Sequence, residues 1–424
     1  MLPVKQAESI ILDLVQPFDE ESDTETVDLS AATSRILAKQ VTSQLDFPQW
    51  DNSAMDGYAV RYADIQACSV QQPAVLEIVE EIPAGYQPQV SIQYGQAARI
   101  FTGACMPIGA DTVVMQEQTR QENNRVLILE APEPQAFVRR RASFYQTGMP
   151  LLLPGVFLRA PEMAVLAAAQ STQLIVYRRP RVAIFSTGNE LITPEQPLEP
   201  GKIVDSNQYA LRAFVAQAGG VPLPMGIVRD QPEKLEEAIT KAISNADIVL
   251  STGGVSVGDY DYVDQILAKL GAEIHIHKVA IKPGKPLTVA TFPFLTQENE
   301  GKGKRSVLYF GLPGNPVSAL VSCWRFVQPA LSKLSGLPEQ AWGPCFVKAQ
   351  TVTELNSGGK RETYIWGQLH LKDGVYEFRA AGGSQASSNL INLAQTNGLA
   401  VLPIGTTLVP AGETVQVLQV GSQA

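Results

Sequence analysis

Positive charge, histidine and cysteine are scarce in this chain. Lysine and arginine total 33 against 42 aspartates and glutamates, a net charge of -9. That balance argues against a broad surface for nucleic acid or an anionic membrane, so any anionic ligand must find a local cluster. The three histidines, His275, His277 and His370, are too few and too isolated for a metal triad. His275 and His277 alternate with Ile274 and Ile276, the pattern of polar positions on one strand face. Cys68, Cys105, Cys323 and Cys345 show no paired spacing for zinc or a redox couple, and read as reduced thiols in a cytoplasmic protein. No run approaches the ~18 apolar residues of a membrane span. Asp13 interrupts the only hydrophobic stretch of the amino end, which excludes a signal-type core.

What is present is a globular composition, 45% hydrophobic and 18% charged over 424 residues. At roughly 100 to 200 residues per domain, three or four domains are expected. Helical signals fill residues 5 to 45. Short β-rich runs such as AVLEIVEEI and RVLILEA follow from about 46 to 145, and a helical piece, PEMAVLAAAQ, occupies 161 to 170. Residues 181 to 330 alternate strand and helix. RVAIF leads to a helix over 207 to 218 that stops at Gly219 and Gly220. An apolar run around Ile227 leads to a helix opened by Pro232, and DIVL, EIHIHKVAI and SVLYF supply further strands. This alternation predicts a mostly parallel, doubly wound α/β sheet, with ligands beyond the carboxyl ends of its strands. Gly301 to Arg305 reads as an exposed loop, and the chain from about 340 reads as a second small β-domain or barrel.

The strand ends carry the chemistry. One ends in Ser186, Thr187, Gly188 and Glu190; the next runs into STGGVSVGDYDYV, with Gly253, Gly254, Asp259 and Asp261; another leads from Lys278 to Lys282 and Lys285; another opens GLPGNP at Gly311. STGGVSVGDYDYV fits neither the dinucleotide fingerprint nor the P-loop, and alone it favours a turn over a phosphate loop. Glu190 alone reads equally as a surface acid and Asp230 as a helix-start residue, while the lysines alone favour solvated loop charges. Gathered at one sheet edge, they fit a phosphate ligand. Glycine turns admit backbone donors to the oxyanions, lysines neutralise them, and the carboxylates imply Mg²⁺ between acid and phosphate.

Taken together, DNSAMDGYAV (51 to 60), FTGA (101 to 104), ADTVVMQEQ (110 to 118), STGNEL (186 to 191), STGGVSVGDYDYV (251 to 263), AIKPGKPL (280 to 287) and GLPGNPVSA (311 to 319) resemble the molybdopterin molybdenumtransferase family, which includes the large carboxyl-terminal domain of gephyrin. The resemblance implies a homodimer of four domains per chain. These are a helical and extended region (1-46 plus 145-178), an inserted β-domain (47-144), a molybdopterin-binding α/β domain (179-330) and a carboxyl-terminal β-barrel (340-424). It implies insertion of molybdate into adenylylated molybdopterin, with Mg²⁺-dependent release of AMP. By motif, Asp56 and Thr102 belong to the site, and Glu190, Asp230, Asp259 and Asp261 surround the pyrophosphate and metal. Lys278 and Lys282 position oxyanions. Ser186, Thr187, Gly188, Gly253, Gly254, Ser256 and Lys285 contact the ligand, and Pro313, Gly314 and Asn315 shape the pterin side. Other molybdenum-cofactor biosynthesis proteins and apo-molybdoenzymes are the implied protein partners.

Two positions depart from the family pattern. Phe144 stands where a carboxylate is expected, and Trp366 where an arginine is common, so either Arg361, Ser384 and the lysines suffice for the oxyanion or its binding here is weakened or different. A non-catalytic molybdopterin-binding or scaffolding homologue is the alternative these departures support. The retained Glu190, Asp261 and Lys282 favour an enzyme.

Overall fold

The computed structural model describes residues 1–254, 262–293 and 305–420. Two compact units form, one from Met1–Lys39, Pro154–Ala160 and the chain from Gln173 onward, the other from Gln40–Leu153 and Pro161–Thr172.

In the first unit the strand and helix alternation builds a six-stranded sheet in the order Val221–Val228, Arg181–Thr187, Ile248–Thr252, Val307–Leu312, Pro286–Phe292, Glu273–Lys278. The first four strands are parallel. Buried strands at its centre alternate their side chains between two cores, as a period of two requires. Val182, Ile184, Leu250 and Phe310 meet Leu211, Phe214 and Val215 of the helix Asn207–Gln217 on one face. Ala183, Phe185, Val249 and Tyr309 meet Leu235, Ile239 and Ala242 of the helix Pro232–Asn245 on the other.

The strand Pro286–Phe292 is one departure from the sequence reading, and residues 24–28, read as helical, are another, since Thr24–Asp28 is a strand. KPGKP was expected only to carry lysines at a strand end, yet its last proline is the first residue of a strand running antiparallel to both neighbours. A strand tolerates proline at that position because the missing N–H is not yet needed. Glu273–Lys278 therefore runs with the parallel four, and Thr187, Val228, Thr252, Lys278 and Leu312 all end at one sheet edge. The outer strand Val221–Val228 carries Pro222 and Pro224, residues confined to edges, which blunt it against stray pairing.

Five strands, Phe346–Thr351, Glu362–Lys372, Val375–Ala380, Gly398–Leu402 and Thr414–Gln419, close a barrel, because Glu362–Lys372 pairs with both Val375–Ala380 and Gly398–Leu402. Ile365, Leu369, Phe378 and Val417 fill it. Tyr364, Trp366, Leu399 and Leu418 instead face the core shared with the α/β sheet. The segment Ile281–Lys282 pairs in parallel with Glu362–Lys372, tying KPGKP to the barrel wall. Arg305, expected in an exposed loop, is mostly buried and donates to Asp23 at 2.7 Å. Gly301 to Lys304 lie outside the described residues.

The second unit holds another six-stranded sheet, ordered Thr112–Met115, Gly57–Val60, Gln96–Ile100, Ala74–Ile82, Arg125–Ile128, Thr119–Glu122. Gly57 of DNSAMDGYAV is required there, since a Cβ would sit 1.9 Å from the Val114 carbonyl oxygen. Among the described residues no helix is long and apolar enough to cross a membrane.

Candidate functional site

The strand ends are held by their own hydroxyls. Thr252 donates to Ser186 at 3.0 Å, and Ser251 shares a 2.6 Å hydrogen bond with Tyr309, all inside the sheet. Thr187 donates its hydroxyl to Asp230, whose other oxygen accepts the Asn189 N–H at 3.2 Å. Gly253 follows with φ of +84°, and a Cβ there would lie 2.2 Å from the Thr187 carbonyl oxygen. Only glycine lets these two strand ends approach so closely.

Above this floor opens a cleft of about 810 Å³, walled by KPGKP, GLPGNP and the barrel strand Glu362–Lys372. Lys282, Lys285 and Arg361 bring positive charge to it, and Glu190 is the one carboxylate in its described lining. Arg361 is anchored by a 3.2 Å bond from Nη1 to the Ile281 carbonyl. Asn315 donates to Ser387 at 3.0 Å, joining GLPGNP to the segment that closes the rim. An arrangement of three cations, one hard carboxylate oxygen donor and glycine-rich turns suits a multiply charged oxyanion.

Of the residues singled out from sequence, Thr187, Glu190, Gly253, Lys282, Lys285, Pro313, Gly314 and Asn315 line this cleft. Others stand behind or beside it. Ser186 is buried in the sheet, and Gly188 donates its N–H to the Val228 carbonyl at 3.3 Å. Asp230 is occupied as a clamp on the loop after Thr187. Gly254 follows the lining residue Gly253, and the exposed Lys278 ends the edge strand Glu273–Lys278. Ser384 turns its hydroxyl to the Ala386 N–H at 3.3 Å. Ser256, Asp259 and Asp261 lie outside the described residues. Among the described residues no group of three or more His, Cys, Asp or Glu side chains could hold a metal ion.

Asp56 and Thr102 belong to the second unit, where they meet directly. Thr102 donates its N–H and its hydroxyl to Asp56 Oδ1, each at 2.7 Å. Phe144 is exposed in the same unit, its ring 6.2 Å from that of Phe47. Trp366 lines the cleft but is 1% exposed, and its Nε1 has no protein partner. Where the resemblance led to the expectation of an arginine, this chain offers a buried neutral donor.

Sequence reading missed Asn207. It lines the cleft, 8% exposed, and donates Nδ2 to the Gly314 carbonyl at 2.7 Å. Its position as first residue of a helix was legible, but its partner lies 107 residues away.

Residues 2–169 match the MoeA N-terminal region (domain I and II), residues 183–333 a probable molybdopterin binding domain, and residues 348–420 the MoeA C-terminal region (domain IV). A molybdopterin molybdenumtransferase from Nostoc sp. is 62% identical over 419 residues, covering 99% of this chain and 94% of the relative. One from Haemophilus influenzae is 34% identical, covering 98% of each. The crystal structure of a molybdopterin biosynthesis moeA protein from Pyrococcus horikoshii superposes with a TM-score of 0.81 at 28% identity, covering 99% of this chain and all of that one. With every region matched and relatives aligned almost end to end, the chain is a transferase and belongs to the molybdopterin molybdenumtransferase family.

Proposed function

We propose that the protein inserts molybdate into the dithiolene of adenylylated molybdopterin, with Mg²⁺-dependent cleavage of the pyrophosphate link and release of AMP. The observation that carries this reading is the convergence of Lys282, Lys285, Arg361 and Glu190 on one cleft at the carboxyl edge of the sheet. Lys282 and Lys285 bind pyrophosphate oxygens as point charges, and Arg361 presents a planar donor fork to a phosphate or molybdate oxyanion. Glu190 fits Mg²⁺ as one of the one or two carboxylates that ion takes, with Asp259 or Asp261 as the second. Such a cation, when bound, supplies charge neutralisation to the phosphates. Thr187 and Asp230 fix the loop that carries Glu190, so the carboxylate is positioned before substrate arrives.

The same reading has the enzyme work as a cytoplasmic homodimer of four-domain chains, with Asp56 and Thr102 supplied across the dimer. It also has the product pass to apo-molybdoenzymes. A purely scaffolding homologue would not need three cations and a carboxylate in one cleft. The test is AMP release from adenylylated molybdopterin, with Mg²⁺ and molybdate omitted in turn. Release that ignores both omissions contradicts the proposal.

A further inference from the structure

We propose that Asn207 is the acceptor that recognises an exocyclic amino group on the substrate's ring, an inference that rests on the function proposed above and specifies one contact of that site. The partner of the Asn207 NH₂ group fixes the orientation of the amide. Nδ2 lies 2.7 Å from the Gly314 carbonyl, and a carbonyl only accepts, so the NH₂ end of the side chain faces Gly314. Oδ1 is thereby turned the other way. It is shielded from solvent and has no hydrogen-bond partner within the protein, on a residue that is 8% exposed and lines the cleft. A buried acceptor without a donor is costly, and most such atoms are satisfied, so this one calls for a donor from the ligand.

The surroundings say which part of the ligand supplies it. Gly314 packs close to Gly253, with a Cβ at Gly314 falling 3.6 Å from the Gly253 Cα, so Asn207 reaches the floor between two strand ends. The cleft's charges, Lys282, Lys285, Arg361 and Glu190, suit phosphates and metal. Asn207 is neutral and shares the lining with Leu191, Ile203 and Pro313, which suit a flat ring. Pterin and adenine both carry an amino group on a ring carbon beside ring nitrogen, and both are present in an adenylylated molybdopterin. An oxo group in that place would set acceptor against acceptor and be rejected.

The experiment measures binding of two probe pairs by calorimetry. One pair is a 6-alkyl pterin phosphate and its lumazine counterpart, in which an oxo group replaces the C2 amino group. The other is AMP and inosine monophosphate. The wild-type protein prefers the amino member of one pair by about tenfold, ~1.4 kcal/mol. Preference within the pterin pair assigns Asn207 to the pterin, and preference within the nucleotide pair assigns it to adenine. Asn207→Leu abolishes the preference, whereas Asn207→Gln, which keeps both an NH₂ donor for the Gly314 carbonyl and an oxygen acceptor, retains it. Should the leucine variant not fold, the wild-type and glutamine measurements still decide. No preference in either pair, or one that survives in Asn207→Leu, overturns the inference and leaves the proposed reaction standing. Failure of all four probes to bind contradicts the substrate reading itself, and the inference falls with it.

Discussion

Thr102 donates both its backbone N–H and its hydroxyl to the same oxygen of Asp56, each at 2.7 Å. The backbone bond first, and the hydroxyl second, hold the Asp56 carboxyl below the usual carboxylate range. A depressed folded-state value means that whatever Asp56 adds to stability is present above its ordinary value of ~3.9 and lost as pH falls through the lower folded one. Thr102→Val removes the hydroxyl and keeps the N–H, so the Asp56 value rises part of the way back, as followed by carboxyl NMR. An unchanged titration would show that the hydroxyl bond contributes nothing. Asp56 also stays ionised at pH 5, so an acid limb of activity near there belongs to another group.

Gly253→Ala places a methyl group 2.2 Å from the Thr187 carbonyl oxygen in a left-handed backbone. Backbone must shift to admit it, and the expected loss is about 2 kcal/mol or more of stability. Urea unfolding reads this as a lower midpoint at constant slope. A midpoint equal to wild type would show that the two strand ends are not packed as described.

Glu8 and Arg325 form a two-point ion pair, at 2.5 and 2.8 Å, between the helix Val4–Leu14 and the core, with side chains 20% and 4% exposed. Arg325 also donates to the Tyr364 hydroxyl at 2.9 Å, and burial pushes that hydroxyl well above the usual phenol range. Glu8→Ala leaves a buried guanidinium without its anion, at a cost of about 3 kcal/mol. Tyr364→Phe removes only the hydroxyl's bonds and costs about 1 kcal/mol. Thermal unfolding of the two variants should separate clearly; equal losses would contradict this ranking.

The site was legible where topology alone brings residues together. Parallel strands must end on one side, so Glu190, Gly253 and Lys282 could be placed at one edge from the alternation of apolar runs and glycine turns. Pro286–Phe292 was hidden because its first residue completes KPGKP, and turn chemistry masked a strand beginning within the motif. Barrel closure was equally hidden, since Glu362–Lys372 takes a partner at Gly398–Leu402 that no local pattern specifies. Side-chain roles were least visible. Asp230 reads as one more site acid, yet its oxygens are held by Thr187 and Asn189. Arg305 reads as a loop charge, yet Asp23 takes it inside.

Lys282 lines the cleft as a point charge. Lys282→Ala is expected to weaken binding of the phosphate-bearing substrate about tenfold, ~1.4 kcal/mol, and to reduce the sensitivity of binding to added salt. Titration at low and moderate ionic strength checks both. Wild-type affinity and salt dependence in the variant would remove this lysine from the oxyanion site.

Under the proposed function this one cleft couples AMP release to molybdenum insertion. Purified protein given adenylylated molybdopterin, Mg²⁺ and molybdate should release AMP in step with activation of an apo-molybdoenzyme, and Glu190→Gln, while still folded, should depress both together. AMP release without activation, or full activity in the Glu190 variant, would contradict the account.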